Sequence, residues 1–162
     1  MPDAIVLVGL SGSGKSTVAA AVAARRNRPL IDLDVEIETR EGAHHSEIIE
    51  TRGEAAFRDV EAEAVRLACA VDRAVIATGG GAVIDPLNRW ALWHAGTVVW
   101  LDAPDEVLLT RLAAHAETRP LLAGDAAERL ARLRARRYRF YRSADVRFDA
   151  SAPTYAVVEA VL

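Results

Sequence analysis

One stretch near the start of the chain has the residue types and the spacing that bind phosphate groups. Residues 9–17, which read GLSGSGKST, match the pattern G-x-x-x-x-G-K-[ST] at every position. Glycines let the backbone curl so that successive N–H groups point at a phosphate, and a helix starting there adds the positive end of its dipole. We therefore expect this loop to bind a nucleoside triphosphate; a glycine-rich turn that binds nothing would not need the whole pattern.

Lysine occurs at a single position of the chain. Of the twenty basic residues, nineteen are arginine and one is lysine, Lys15. A compact ammonium on a flexible stem differs physically from a planar guanidinium, so we expect Lys15 to reach the β- and γ-phosphates and to act in catalysis. The Ser16 hydroxyl is expected to coordinate Mg²⁺. The loop residues expected to contact the nucleotide are Gly12, Ser13, Gly14, Lys15, Ser16 and Thr17.

Two carboxylates follow the second predicted strand. Asp32 and Asp34 lie at its C-terminal end, on the edge of an open α/β sheet where ligands bind. One carboxylate there could hold the water shell of Mg²⁺, and the other could accept a hydrogen bond from an attacking hydroxyl. From these residues alone, a purely structural role for Asp34 as the cap of the next helix remains open.

Three later motifs contain charged residues or consecutive glycines that could form part of a binding site. Phe57-Arg58 is followed by Glu61, and three glycines (residues 79–81) follow the third predicted strand. Three glycines make sense where a ligand approaches the backbone closely. Residues 118–122 (TRPLL) lie in a predicted mobile loop, residues 115–124, and are followed by Arg137 and Tyr141 on a helix.

Strands and helices alternate along the chain. Apolar runs predict strands, and helical spacing of apolar residues predicts the segments between them. The strands are predicted over residues 4–9, 29–32, 74–78, 97–101 and 145–148. The helices are predicted over residues 16–26, 35–40, 46–51, 54–71, 86–95, 105–114, 126–142 and 154–162. This order predicts an α/β protein with a parallel sheet and helices on both faces, in one domain over residues 1–162.

Composition excludes several classes of protein. The formal net charge is −3, which argues against a protein whose main partner is a nucleic acid or a membrane surface. No apolar stretch approaches the roughly 20 residues that span a bilayer, and no signal peptide is visible. We expect a cytoplasmic protein without a nucleic-acid or membrane partner.

Taken together and in this order, the motifs resemble those of the shikimate kinase family over about residues 4–160. The resemblance implies a P-loop kinase fold, a three-layer sandwich with a central parallel five-stranded sheet, a helical substrate-binding segment at about residues 33–61 and a mobile lid at about residues 115–124. It implies phosphorylation of the 3-hydroxyl of shikimate, with ATP as co-substrate and Mg²⁺ as cofactor. We expect a monomer.

The resemblance also implies roles for individual residues. Asp34 would contact the reacting hydroxyl and Asp32 would order the Mg²⁺ water shell, while Arg119 would be a catalytic lid arginine that contacts the transferred phosphoryl group. The carboxylate of the substrate would be clamped by two arginines beside two glycines, and two further residues would flank the adenine. These are Arg58, Arg137, Gly80 and Gly81 for the substrate, and Arg111 and Pro153 for the nucleotide.

The sequence departs from the family pattern at three positions. Ile49 stands where an aromatic residue is frequent, Leu33 replaces a small or polar residue, and Arg139 replaces a frequent proline. None of these changes removes a charged contact, but Ile49 and Leu33 border the expected pocket and bear on which substrate it accepts.

Two other functions are compatible with parts of the sequence. A kinase for another small polyol acid, such as gluconate, would share the phosphate loop but would not need Asp32, Asp34, Arg58 and Arg137 together. A nucleotide-binding regulator could use the seven arginines of residues 129–142 to bind nucleic acid.

Overall fold

Five parallel strands form the centre of the protein in a computed structural model that describes residues 3–114 and 125–162. They are paired side by side in the order β2-β3-β1-β4-β5. Their bounds are Ala4–Val8 (β1), Leu30–Asp32 (β2), Val75–Ala77 (β3), Gly96–Asp102 (β4) and Val146–Asp149 (β5). The predicted α/β class and the five-stranded parallel sheet are therefore confirmed.

Eight α-helices lie in the described ranges and cover the sheet. Helices α1 and α8 pack against each other, as do α4 and α5, and α1 and α5 contact the strands directly. The helices are Lys15–Arg26 (α1), Leu33–Glu41 (α2), His45–Arg52 (α3), Glu54–Cys69 (α4), Pro86–Ala95 (α5), Asp105–Ala113 (α6), Ala126–Tyr141 (α7) and Thr154–Val161 (α8). None of these helices is both long and apolar enough to cross a membrane.

The central strands are buried on both faces. Val6, Leu7 and Val8 of β1 are completely buried, and Val98 and Leu101 of β4 are buried to the same degree. A continuous run of aliphatic residues rather than an alternating one is what a parallel strand covered by helices requires. The strands thus form a fixed base for the loops that follow them.

The sequence placed the start of α2 two residues too late. The helix begins at Leu33 because the side chain of Asp32 caps it, accepting hydrogen bonds from the backbone N–H groups of Asp34 (3.1 Å) and Val35 (3.5 Å). Aspartate is among the preferred residues for this position, since it satisfies N–H groups that have no partner within the helix. The cap is thus Asp32, and Asp34 lies in the first turn of α2.

Parallel strands bring their C-terminal ends to the same edge of the sheet. At that edge, β1 leads into the glycine-rich loop, β2 leads to Asp34, β3 leads to the three glycines and β5 leads to Ala150. Since ligands of open α/β sheets bind at this edge, the topology brings together segments that are far apart in sequence.

Candidate active site

The glycine-rich loop lines a cavity of ≈ 240 Å³. Gly14, the residue before α1, has φ +89°, a left-handed conformation that side chains rarely adopt, so the turn into the helix needs glycine here. The cavity opens at the N-terminal end of α1, where the first backbone N–H groups of the helix and its dipole favour an anion. Its lining from this loop is Ser11, Gly12, Ser13, Gly14, Lys15, Ser16 and Thr17.

Lys15 is held in the loop by the loop's own backbone. Its Nζ donates hydrogen bonds to the carbonyl oxygens of Gly9 (2.9 Å) and Leu10 (3.0 Å), and the residue is only 8% exposed. The ammonium therefore lies at the cavity wall, where it can meet the negative charge of a phosphate.

Helix α6 contributes Arg111 to the wall of the cavity. Arg111 of α6 donates from Nη2 to the carbonyl oxygen of Ala150 (2.7 Å) and from Nη1 to that of Gly12 (3.4 Å). Ala152 and Thr154, the neighbours of Pro153, also line the cavity. Arg111 thus joins the glycine-rich loop to the segment after β5, the region where the adenine-flanking residues are predicted.

Asp34 connects the phosphate cavity to the glycines after β3. It lines the cavity, and its Oδ1 would lie 2.9 Å from a Cβ atom placed on Gly79. A carboxylate at this point can orient a hydroxyl group toward a phosphate held by the loop.

Arg58 lies over Gly81 and is fixed by an ion pair. Its Nη1 donates to Oε2 of Glu61 (2.6 Å), and a Cβ atom placed on Gly81 would lie only 2.6 Å from that nitrogen. Glu61 is buried, and burial raises the pKa of its carboxyl, against the opposing effect of the Arg58 charge. Burial opposes the charge on Arg58, but Glu61 and Glu54 outweigh it, so the pKa of Arg58 is raised. The guanidinium stays charged and has little freedom to turn.

Arg137 lies over the neighbouring glycine. Its Nη1 would be 3.1 Å from a Cβ atom placed on Gly80, and its Nε is buried without a hydrogen-bond partner in the part of the chain that the structure describes. Tyr141, one turn further along α7, donates its hydroxyl to the carbonyl oxygen of Gly80 (2.6 Å). A second positive group thus faces the same short backbone segment as Arg58.

The structure brings most of the predicted site residues to one place. Asp34, Arg58, Arg137 and residues 79–81 adjoin one another beside the phosphate cavity, which Gly80 also lines. Arg119 and the whole predicted lid, residues 115–124, lie outside the described residues. The sequence missed the contacts of Glu61 and Tyr141; the spacing of three residues between Arg58 and Glu61 was a signal for the first, since such residues are neighbours on a helix.

These features define a class of protein. A phosphate-binding loop between a central strand and a helix, with a carboxylate and two arginines beside it, is the site of a P-loop kinase that acts on a small anionic molecule.

Comparison with known proteins specifies the family. A family model described as Shikimate kinase matches residues 11–162. The chain is 46% identical to a shikimate kinase of Gloeobacter violaceus, over 98% of this chain and 89% of that one. The structure of a shikimate kinase from Acinetobacter baumannii in complex with shikimate has a TM-score of 0.93, with 33% identity over 98% of this chain and 90% of that one. The chain belongs to the shikimate kinase family.

A more distant structure shares the fold alone. A gluconokinase from Sinorhizobium meliloti has a TM-score of 0.61 and 21% identity, over 99% of this chain and 90% of that one. The predicted fold class and the resemblance stated from the motifs are both confirmed.

Proposed function

We propose that this chain transfers the γ-phosphoryl group of ATP to the 3-hydroxyl of shikimate, giving shikimate 3-phosphate and ADP, a step of aromatic amino acid biosynthesis. One observation carries the proposal: Arg58 and Arg137 lie over adjacent glycines, and Asp34 links them to the cavity of the phosphate-binding loop. Such a site can hold a small molecule by a carboxylate and present one of its hydroxyl groups to a phosphate. Membership of the shikimate kinase family supports shikimate as that molecule.

Two arginines suit a single carboxylate. A guanidinium and a carboxylate can form two parallel hydrogen bonds, which fix orientation as well as position. Because Glu61 forms an ion pair with Arg58 (2.6 Å), the Arg58 side of the clamp is held in place by the protein itself. We propose that Gly80 and Gly81 line the pocket between Arg58 and Arg137, where a side chain would displace a guanidinium.

The transfer itself needs positioning more than bond-making groups from the protein. Phosphoryl transfer passes through a loose transition state, with charge spread over the transferred oxygens. We propose that Lys15 stabilises that charge and that Asp34 mainly orients the attacking hydroxyl, taking its proton only late in the transfer. The loop N–H groups and the dipole of α1 hold the remaining phosphates.

The residues present fit a bound Mg²⁺. Ser16 lines the phosphate cavity, and the capping bonds of Asp32 go to Oδ1, which leaves Oδ2 for a water of the metal's shell. Mg²⁺ commonly keeps several waters and binds through substrate phosphates with one or two protein oxygens, so a full protein cage is not required. When bound, it would neutralise charge on the β- and γ-phosphates.

Other parts of the assignment stay predictions. These are the cytoplasmic location, the monomeric state, the single domain over residues 1–162 with its substrate-binding segment and lid, and the contacts of Arg111 and Pro153 with adenine and of Arg119 with the phosphoryl group.

The alternative functions receive less support. A gluconate kinase would need a reason for the paired Arg58 and Arg137, and the gluconokinase structure shares only the fold. Nucleic-acid binding would use the arginines of α7, of which Arg134 is engaged by Asp102 (2.8 Å) and Asp105 (2.6 Å). Four others are exposed, so the match to the shikimate kinase family over residues 11–162, rather than burial of the arginines, is what disfavours this alternative.

A coupled assay with shikimate and gluconate side by side tests the proposal. ADP release should depend on shikimate, saturate with it and remain at background with gluconate. Turnover with gluconate but not with shikimate would show that the protein is a kinase with a different substrate. Binding of ATP without turnover on either acid, together with salt-sensitive binding to RNA, would favour the regulator.

A further inference from the structure

The hydroxyl of Tyr141 joins two parts of the site that belong to different elements. Tyr141 is the last residue of α7, and its hydroxyl donates to the carbonyl oxygen of Gly80 in the loop after β3 (2.6 Å). It lies four residues after Arg137, so both side chains project from the same face of the helix. Arg137 lies against the same residue, since its Nη1 would be 3.1 Å from a Cβ atom placed on Gly80.

The ring of Tyr141 is fixed independently of its hydroxyl. It is stacked on Trp100 of β4, with the ring centroids 6.0 Å apart and the planes at 25°, and the residue is 2% exposed. Packing alone would be served equally by phenylalanine. A buried hydroxyl is costly unless it is hydrogen-bonded, so its presence here points to a role for the contact with Gly80.

The hydroxyl is a permanent donor at physiological pH. Burial, opposed by the nearby charges of Arg137 and Arg134, raises the pKa of Tyr141 to about 12. Because the peptide unit is planar and trans, fixing the carbonyl of Gly80 also fixes the direction of the N–H of Gly81. This one hydrogen bond therefore fixes the direction of the Gly81 N–H in the pocket, and it also fixes how far the Gly80–Gly81 backbone lies from α7.

We propose that Tyr141 is a positioning residue for the substrate carboxylate, holding the backbone of Gly80 and Gly81 in register with the guanidinium of Arg137. The inference rests on the proposed function, since it assigns Arg137 and these glycines to the carboxylate end of the substrate. Tyr141 does not need to touch the substrate, because it acts through the backbone of Gly80 and Gly81. Its effect is expected on binding of the acid rather than of the nucleotide.

The first test is the variant Tyr141→Phe, which keeps the stacked ring and removes only the hydroxyl. We expect the KM for shikimate to rise about five- to ten-fold, the effect of one lost hydrogen bond, while the KM for ATP changes less than about two-fold. The matched control is Tyr138→Phe, which removes a hydroxyl from the same helix and whose ring packs edge-on against the same Trp100. Its KM for shikimate should equal that of the wild type.

The second test separates positioning from a general loss of stability. In an Arg137→Ala background, Tyr141→Phe should raise the KM for shikimate much less than it does in the wild type, because the partner it aligns is gone. If the two residues are coupled, the free-energy effects of the two substitutions are not additive. If Tyr141→Phe only destabilises the protein, it should raise the KM by the same factor in both backgrounds. Thermal melting of each variant with and without ATP establishes that the folded, nucleotide-binding protein is being compared.

The outcomes distinguish the two proposals. If the wild type turns over shikimate and Tyr141→Phe leaves its KM unchanged, or raises both KM values equally, the positioning role is refuted and the function stands. Equal factors in the two backgrounds would refute it as well. If the wild type shows no turnover with shikimate, the function fails and the inference fails with it.

Discussion

The two halves of the site are built in opposite ways. The nucleotide half is mostly one stretch, residues 9–17, and acts through backbone N–H groups, a helix end and one lysine. The carboxylate half consists of single side chains from α4 and α7, Arg58 and Arg137, that lie over the adjacent glycines Gly81 and Gly80. The first half is thus nearly complete within its local sequence, and the second exists only once the sheet has brought distant segments together.

The difference extends to how charge is held. Lys15 is held by two backbone carbonyls, whereas Arg58 is held by a buried carboxylate, Glu61. Arg137 lies over Gly80, whose carbonyl oxygen accepts a hydrogen bond from Tyr141. Variants of the nucleotide half should therefore affect ATP and the chemical step. Variants of the carboxylate half should affect the affinity for shikimate.

The largest effect is expected for Lys15→Arg. The wider guanidinium cannot take the place of an ammonium that sits between the carbonyls of Gly9 and Leu10, so turnover should fall by about 10²–10³-fold. Steady-state kinetics measure the loss, and circular dichroism checks that the fold is intact. Near-normal turnover would mean that the single lysine has no special role in the nucleotide half.

Asp34 lies where the two halves meet and should come next. If its main role is to orient the hydroxyl, Asp34→Asn should lose turnover clearly but keep substantially more than Asp34→Ala, because the amide oxygen still accepts a hydrogen bond. A general base would make both variants fall together, typically by 10²–10⁴-fold. The control is Asp59→Asn, an exposed carboxylate on α4. Equal and severe losses with shikimate affinity preserved would establish the base.

Smaller effects, confined to one substrate, are expected for the two arginines. Arg58→Ala and Arg137→Ala should each weaken shikimate binding by about 1.5–3 kcal/mol, the range for a charged hydrogen bond, and barely change ATP binding. Titration calorimetry with each ligand measures both. The matched control for α4 is Arg66→Ala, whose side chain is exposed and pairs with Glu63 at the surface. Normal shikimate affinity in both site variants would show that the carboxylate half is wrongly assigned.

The smallest effect should come from Arg111→Ala at the far end of the nucleotide half. Losing the bond to the carbonyl of Ala150 (2.7 Å) should raise the KM for ATP by about three- to ten-fold. The KM for shikimate serves as the internal control and should not move. A rise in both constants would mean that the two halves are coupled rather than separate.

The sequence predicted the two halves unequally, for a physical reason. The phosphate loop could be recognised from nine consecutive residues, because its function follows from local backbone geometry. Arg58 and Arg137 carry weak signals when taken separately and were found through the order of all the motifs. The hydrogen bond between Tyr141 and Gly80 spans 61 positions of the chain and arises only from tertiary packing. The start of α2 was misplaced because the capping role fell to Asp32 rather than Asp34.

The anchoring of Lys15 also bears on the entropy of nucleotide binding. A lysine side chain loses roughly 1.5–2 kcal/mol of rotamer freedom when it is immobilised. Here two backbone carbonyls of the loop itself hold the ammonium, so most of that freedom is lost when the chain folds. The entropic cost falls on the stability of the free enzyme, and ATP meets a positive charge whose position is already set.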